Sequence, residues 1–287
     1  PHSNEVYHNH FPILQNAPHS YLYKFLSDPP TTTLQRLKGL TTGSLPTFID
    51  AGSNFNGEVI DEDNLIKQFH LNNKTTYFAG DDTWKALFDP YLSRKSKYYE
   101  SLNVWDLETV DQGVMRFFDE HLTGDEEEEE EEWDVLIGHM LGVDHVGHKH
   151  GPNHHEMSTK LEQMNTFVSE QLLPKIDNDT VLFIFGDHGM DHTGNHGGDS
   201  KDELETTLFV YSPKFGVTPP KTTNNNYKIV NQIDFVPTLS LLLDIPIPFN
   251  NLGWPIEDMV EKSGFDQTLN QIHHYQKTSK VLEGNPL

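Results

Sequence analysis

The stretch Phe183–Ser200, FIFGDHGMDHTGNHGGDS, decides how this chain is read. It continues an apolar run, Val181–Phe185, that is short, β-prone and unbroken, the pattern of a strand buried on both faces. Gly186 ends the run, and Asp187, His188, Asp191, His192 and His196 follow, spaced by glycines. Adjacent side chains diverge on a regular strand or helix, so Asp187 and His188 reach one ion only from an irregular turn, which glycine permits. Open α/β sheets gather their chemistry on loops at the carboxyl ends of strands. Taken alone, a polar loop of His and Asp is better explained by solvation; a second cluster upstream changes the balance.

That cluster follows another apolar run, Trp133–Gly138, and reads HMLGVDHVGHKH from His139 to His150. Asp144 and His148 stand four apart, on one side of a helical turn, a spacing that suits chelation of a single ion. Between the clusters, Met157–Leu172 has helical character. Two strand-loop-helix units in succession predict adjacent crests of one sheet.

Composition bounds the chemistry. With 287 residues the chain suffices for one large α/β unit. Twenty Lys and Arg against 44 Asp and Glu leave a net charge of −24, which excludes a nucleic acid held by basic residues. Seven of the acids form one run, Glu126–Glu132, read as a solvated surface insertion spanning 125–132. With no cysteine, metal ligands must be His, Asp or Glu. The chain opens on Pro1 without a signal-peptide pattern, and its longest apolar stretch, Phe235–Phe249, is interrupted by Pro237, Asp244, Pro246 and Pro248. It reads as a soluble piece of something longer.

Elsewhere, residues 1–20 are polar and His-rich and read as a loose segment. Thr31-Thr32-Thr33 precedes Leu34, Leu37 and Leu40 at helical spacing. A threonine hydroxyl at a helix start serves either as an N-cap or as a nucleophile facing phosphate, and from this segment alone the cap is the better reading. Helical character recurs over 61–69, 106–121 and 232–243, and strand character over 75–80 and 206–211. Strands separated by helices predict a mostly parallel sheet covered on both faces. Residues 256–287 read as a polar tail.

Four stretches carry a resemblance: 30–55 (PTTTLQRLKGLTTGSLPTFIDAGSNF), 139–157 (HMLGVDHVGHKHGPNHHEM), 185–200 (FGDHGMDHTGNHGGDS) and 232–253 (QIDFVPTLSLLLDIPIPFNNLG). In that order they resemble the luminal domain of the GPI ethanolamine phosphate transferases, most closely the branch that modifies the third mannose. The wider group is the alkaline-phosphatase-like superfamily, and the likeness spans roughly 20–255.

The resemblance implies an alkaline-phosphatase-like three-layer α/β sandwich over 21–255. Thr33 falls at the nucleophile, with Thr31 and Thr32 as lesser candidates. Asp144, His148 and His196 match the ligands of one metal; Asp187, His188 and the Thr33 oxygen match those of the other. Asn54 matches a residue that holds a phosphoryl oxygen. His145, His150, His154, His155 and His192 match no ligand position. The group also carries an aspartate at the end of a first strand, which this chain is expected to lack together with the flanking membrane helices; Asp28 stands in a different context.

The residue types suit the implied chemistry. Threonine is a poor nucleophile until a cation lowers its pKa, and a second cation can hold the leaving oxygen. Imidazole with carboxylate suits zinc, with manganese the alternative. The implied activity is transfer of phosphoethanolamine from phosphatidylethanolamine to a mannose of a GPI precursor, in the endoplasmic reticulum membrane with this domain in the lumen, leaving room for a small membrane subunit. The alternatives are a nucleotide or lipid phosphodiesterase that transfers to water and a catalytically silent metal-binding domain. Asn73-Lys74-Thr75 and Asn178-Asp179-Thr180 are glycosylation sequons, which suit a luminal domain.

Overall fold

A computed structural model describes residues 6–46, 59–123, 132–215 and 227–263. After a short helical turn, Ile13–Asn16, come β1 (Ser20–Leu26) and α1 (Thr33–Thr42). Next are α2 (Leu65–Leu71), β2 (Thr76–Asp81), β3 (Lys97–Tyr99), α3 (Thr109–Leu122) and β4 (Val135–His139). Then follow α4 (Gly142–His150), α5 (His155–Thr166) with a π-helical continuation (Phe167–Leu172), and β5 (Leu182–Phe185). The described residues end with β6 (Glu205–Tyr211), β7 (Ile229–Asn231), α6 (Phe235–Leu242) and α7 (Glu257–Ser263). None of the helices among the described residues is long and apolar enough to cross a membrane.

The strands form two sheets. One has the order β3-β2-β4 and is parallel throughout, with Phe78 opposite Ile137 and Gly80 opposite His139. The other has the order β5-β6-β1-β7 and is mixed, because β6 runs antiparallel to both β5 and β1. The expected mostly parallel sheet is met by β3-β2-β4, while the second sheet is mixed, with β1 and β7 parallel and β6 antiparallel to its neighbours. The two clusters also stand on different sheets, β4 and β5 each lying at an edge.

Strand β5 departs from expectation in an instructive way. Phe183 and Phe185 pack on the main core with Phe25, Leu208 and Phe235, while Leu182 and Ile184 pack on Phe167 and Leu172 beneath the other face. Both faces are apolar, as the sequence requires, yet all four residues are only half-buried. An edge strand keeps one flank open, which the apolar pattern of its side chains does not reveal. By contrast β2, flanked on both sides, is buried throughout.

Strand β1 has no clear signature in the sequence and yet lies inside its sheet. Tyr23 and Phe25 enter the core, and seven residue pairs, from Ser20–Tyr211 to Leu26–Glu205, bind it to β6. Its carboxyl end delivers the segment Asp28–Thr33 and the start of α1. Thr32 is the N-cap residue of α1 but makes no side-chain cap bond, and Thr33 opens the first turn. Near the carboxyl end, α7 packs Met259 and Val260 into the core.

Candidate metal centre and nucleophile

Local sequence explains how each ligand is presented. The carboxylate of Asp111 on α3 accepts from the backbone N–H groups of Leu141 and Gly142 (3.0 and 2.9 Å), so the start of α4 is capped by another helix. Lys160 of α5 stands 3.3 Å from the same carboxylate. Gly142 is required by this approach, because a Cβ there would lie 2.0 Å from Asp111 Oδ2. Helix α4 then presents Asp144 and His148 one turn apart, with Oδ2 and Nε2 separated by 3.4 Å.

The loop beyond β5 presents the other groups. Asp191 accepts from the N–H groups of Thr193 and Asn195 (2.8 and 3.0 Å) and so folds a tight turn. Gly194 adopts φ +85°, and a Cβ on it would fall 2.0 Å from the Gly147 carbonyl oxygen, so the turn lies against α4. That brings His196 Nε2 to 3.0 Å from His148 Nε2 and 3.4 Å from Asp144 Oδ1. Ligand atoms of Asp144, His148 and His196 all lie within 4.8 Å of one another. His188 stacks on His196 with ring centroids 3.8 Å apart. Its Nε2 stands 3.4 Å from Asp187 Oδ2 and 3.4 Å from the Thr33 hydroxyl.

The hydrogen-bond pattern sets the imidazoles for metal binding. His196 Nδ1 donates to the Thr31 carbonyl at 2.8 Å, and His188 Nδ1 donates to the Gly189 carbonyl at 2.9 Å. A carbonyl only accepts, so each Nδ1 carries a proton, and in its neutral form each ring turns the Nε2 lone pair inward. Asp144 Oδ1 and Asp187 Oδ2 are buried without a hydrogen-bond partner. Orphaned carboxylate oxygens facing imidazole lone pairs are what a divalent cation satisfies. The donor set fits a metal on these grounds.

Electrostatics agree. Burial acts to raise the Asp144 carboxyl, but the hydrogen bond from His148 and the charges of His148, His196 and His188 outweigh it and hold it below the ordinary range. Asp144 raises His148. Burial, reinforced by His188, lowers His196 and favours the neutral ligand form.

Asn54, the expected phosphoryl-oxygen contact, lies outside the described residues. Asp28 faces Arg36 and Asp234 and is raised by burial; it does not join the three-residue ligand group. His145 is buried and contacts the carbonyls of Asp106 and Ser101. His150 stacks on His154, whose ring also meets that of His155 at a tilt, and His192 is exposed.

Several supporting residues escaped the sequence reading. Glu203 accepts from the N–H groups of Gly198 and Ser200 (2.7 and 3.1 Å), and the Thr31 hydroxyl accepts from Gly197 N (2.9 Å), fixing the backbone beyond His196. Gln232 donates to the Asp187 carbonyl and accepts from the buried Arg36 at 3.5 Å. Burial lowers the Arg36 guanidinium to about 10 against the opposing pull of Asp28 and Asp187. Ser200 followed by Glu203 is a legible capping box; Arg36 and Gln232, 196 positions apart, offer no local signal.

This geometry and topology define the class. The fold resembles that of alkaline phosphatase PafA (TM-score 0.59, 12% identity, covering 88% of this chain and 95% of that one). It also resembles lipoteichoic acid synthase LtaP from Listeria monocytogenes (TM-score 0.56, 13% identity, 88% and 69%). The chain belongs to the type I phosphodiesterase/nucleotide pyrophosphatase family, whose model matches residues 30–212. Within that class it is 60% identical to GPI ethanolamine phosphate transferase 3 of Eremothecium gossypii, over 97% of this chain and 29% of the relative. It is 58% identical to the Saccharomyces cerevisiae protein of that name, over 93% and 27%. With the catalytic subunit of the Homo sapiens protein it shares 52% over 84% and 21%. The chain thus spans under a third of the length of these relatives.

Proposed function

We propose that this chain is the catalytic domain of a metal-dependent transferase that moves phosphoethanolamine from phosphatidylethanolamine to a mannose of a GPI precursor. The observation that carries the reading is the placement of the Thr33 hydroxyl in the first turn of α1, 3.4 Å from His188 within a His and Asp cluster. The names of the similar transferases support ethanolamine phosphate as the group transferred and GPI as the acceptor class.

Thr33 Oγ1 attacks the donor phosphorus, the bond to the diacylglycerol oxygen breaks, and that oxygen leaves as diacylglycerol after taking a proton from water. The Thr33 proton passes to solvent. A mannose hydroxyl then attacks the phosphothreonine diester and restores the Thr33 hydroxyl. The first turn of α1 directs backbone N–H groups and the positive end of its dipole at the phosphoryl oxygens. Asp144, His148 and His196 would hold one divalent ion and Asp187, His188 and Thr33 a second, with zinc the ion best matched to the donors. Such ions would lower the hydroxyl pKa and neutralise charge on the phosphoryl group. The domain stands in the endoplasmic reticulum lumen on this reading, within a membrane-embedded whole.

Thr33→Ala in the full-length enzyme is expected to abolish transfer with little change in melting temperature, and a labelled donor should leave phosphoethanolamine on Thr33 of the wild type. Near-normal transfer by the variant would sink the assignment. The family also embraces phosphodiesterases that release their product to water; phosphoethanolamine appearing free in solution rather than on mannose would favour that reading.

A further inference from the structure

The strands β2, β3 and β4 are parallel, so the loops that follow them leave the sheet at one edge, the edge at which α4 presents Asp144 and His148. On that edge the loop after β3 carries Leu102 and Trp105, which are 89% and 73% exposed. Large apolar side chains standing singly on a surface are ordinary; two on one short loop beside a site are not.

The loop is held firmly. Ser101 Oγ donates to Asp82 Oδ1 at 2.6 Å, and Asp106 N donates to the Asn103 carbonyl at 3.0 Å. The buried His145, neighbour of Asp144 on α4, contacts the carbonyls of Asp106 and Ser101 at 2.8 and 3.2 Å. Lys149, which follows His148, lies 5.3 Å above the Trp105 ring. The side chains therefore project from a backbone fixed to the metal-binding helix, with no collapse that would cover them.

We propose that this loop, Ser101–Asp106, is where the domain rests on a zwitterionic phospholipid surface, with Leu102 and Trp105 entering the headgroup region; this rests on the transferase reading above. Tryptophan suits that position because its ring is apolar and its N–H polar. Charge selects the kind of surface. Glu100 and Asp106 flank the two apolar residues against the single ammonium of Lys149, and the chain as a whole carries −24, so the balance repels anionic lipid and matches ammonium-bearing headgroups. The opposite edge agrees. Asn73, just ahead of β2, and Asn178, just ahead of β5, are exposed at the amino ends of strands. Glycans on those sequons would stand in water, away from the bilayer.

The test uses the full-length enzyme with two donors: phosphatidylethanolamine in phosphatidylcholine vesicles, and monomeric dihexanoyl phosphatidylethanolamine. Replacing Leu102→Ser and Trp105→Ser together is expected to raise KM for the vesicle donor about tenfold, the loss expected for one buried apolar side chain, and to leave kcat and KM for the monomeric donor unchanged. Phe249→Ser with Leu252→Ser, an exposed apolar pair near the far end of α1, should alter neither. An unchanged vesicle KM would overturn the proposal. An equal rise for both donors would overturn it too, assigning the loop to headgroup or acceptor, as would an effect confined to the Phe249 and Leu252 pair. A wild type that transfers from neither donor would instead overturn the transferase reading, and is told apart because the unaltered enzyme fails.

Discussion

The two halves of the site are unequally finished. Asp144, His148 and His196 bring three ligand atoms within 4.8 Å, with α4 and the His196 turn locked together at Gly194. Across the stacked rings of His196 and His188, the other half offers one carboxylate, one imidazole and a hydroxyl. Three charged or imidazole donors plus an open position are the usual complement of a catalytic zinc, whereas two donors and a weak hydroxyl are not. The first half meets the donor complement of such a site with its own residues; the second does not.

The largest expected effect tests that inequality directly. His196→Ala should empty the first half and unstack His188, cutting transfer by about a hundredfold or more, and elemental analysis should show one metal fewer. His192→Ala, outside both halves, should change neither quantity. Equal metal content in wild type and His196→Ala would remove the basis of the comparison. For the 287-residue chain alone the expectation is about one tightly held zinc; two held equally well would show the second half to be complete.

A smaller effect should be confined to the second half. Gln232 ties the Asp187 carbonyl to Arg36, so Gln232→Leu should weaken the weaker metal site about tenfold and leave the stronger one intact. Isothermal titration with zinc resolves the two, and a loss shared equally by both sites would show that the halves are not separately supported.

The smallest effect concerns the backing of the first half. Hydrogen bonds from Ser200 and from the N–H groups of Gly198 and Ser200 depress the Glu203 carboxyl below its ordinary 4.5. A carboxyl lowered by folding stabilises the native state above its unfolded pKa, and that contribution fades as pH falls through the folded value. Glu203→Gln should therefore lower stability by about 1 to 3 kcal/mol at pH 7, with the gap to wild type closing as the pH falls below 4.5. Urea titrations across that range check the sign; a gap that widens in acid would contradict it.

How much was legible differs by element. Periodicity marked α1, α3, α5 and α6, and alternating or continuous apolar runs marked β2, β4, β5 and β6, because side-chain burial imposes those patterns. Strand β1 stayed hidden: Ser20–Leu26 acquires its strand character from pairing with β6, whose sequence lies some 180 positions away. The Asp144–His148 pair was legible as a helical turn, and Asp187–His188 as a glycine-released corner.

The sequence by itself determined which side chains could bind a metal and that each group follows an apolar strand, because those are properties of residue type and short-range spacing. Residue type and spacing left the grouping of His196 with Asp144 and His148 to the resemblance, and tertiary structure supplies its physical cause, because a turn resting on α4 sets that distance. It also decided that the carbonyls of Thr31 and Gly189 direct both rings inward, and that Arg36 and Gln232 stand behind Asp187. Orientation of a ligand is fixed by hydrogen bonds to whatever backbone lies behind it, and only the folded chain brings that backbone there.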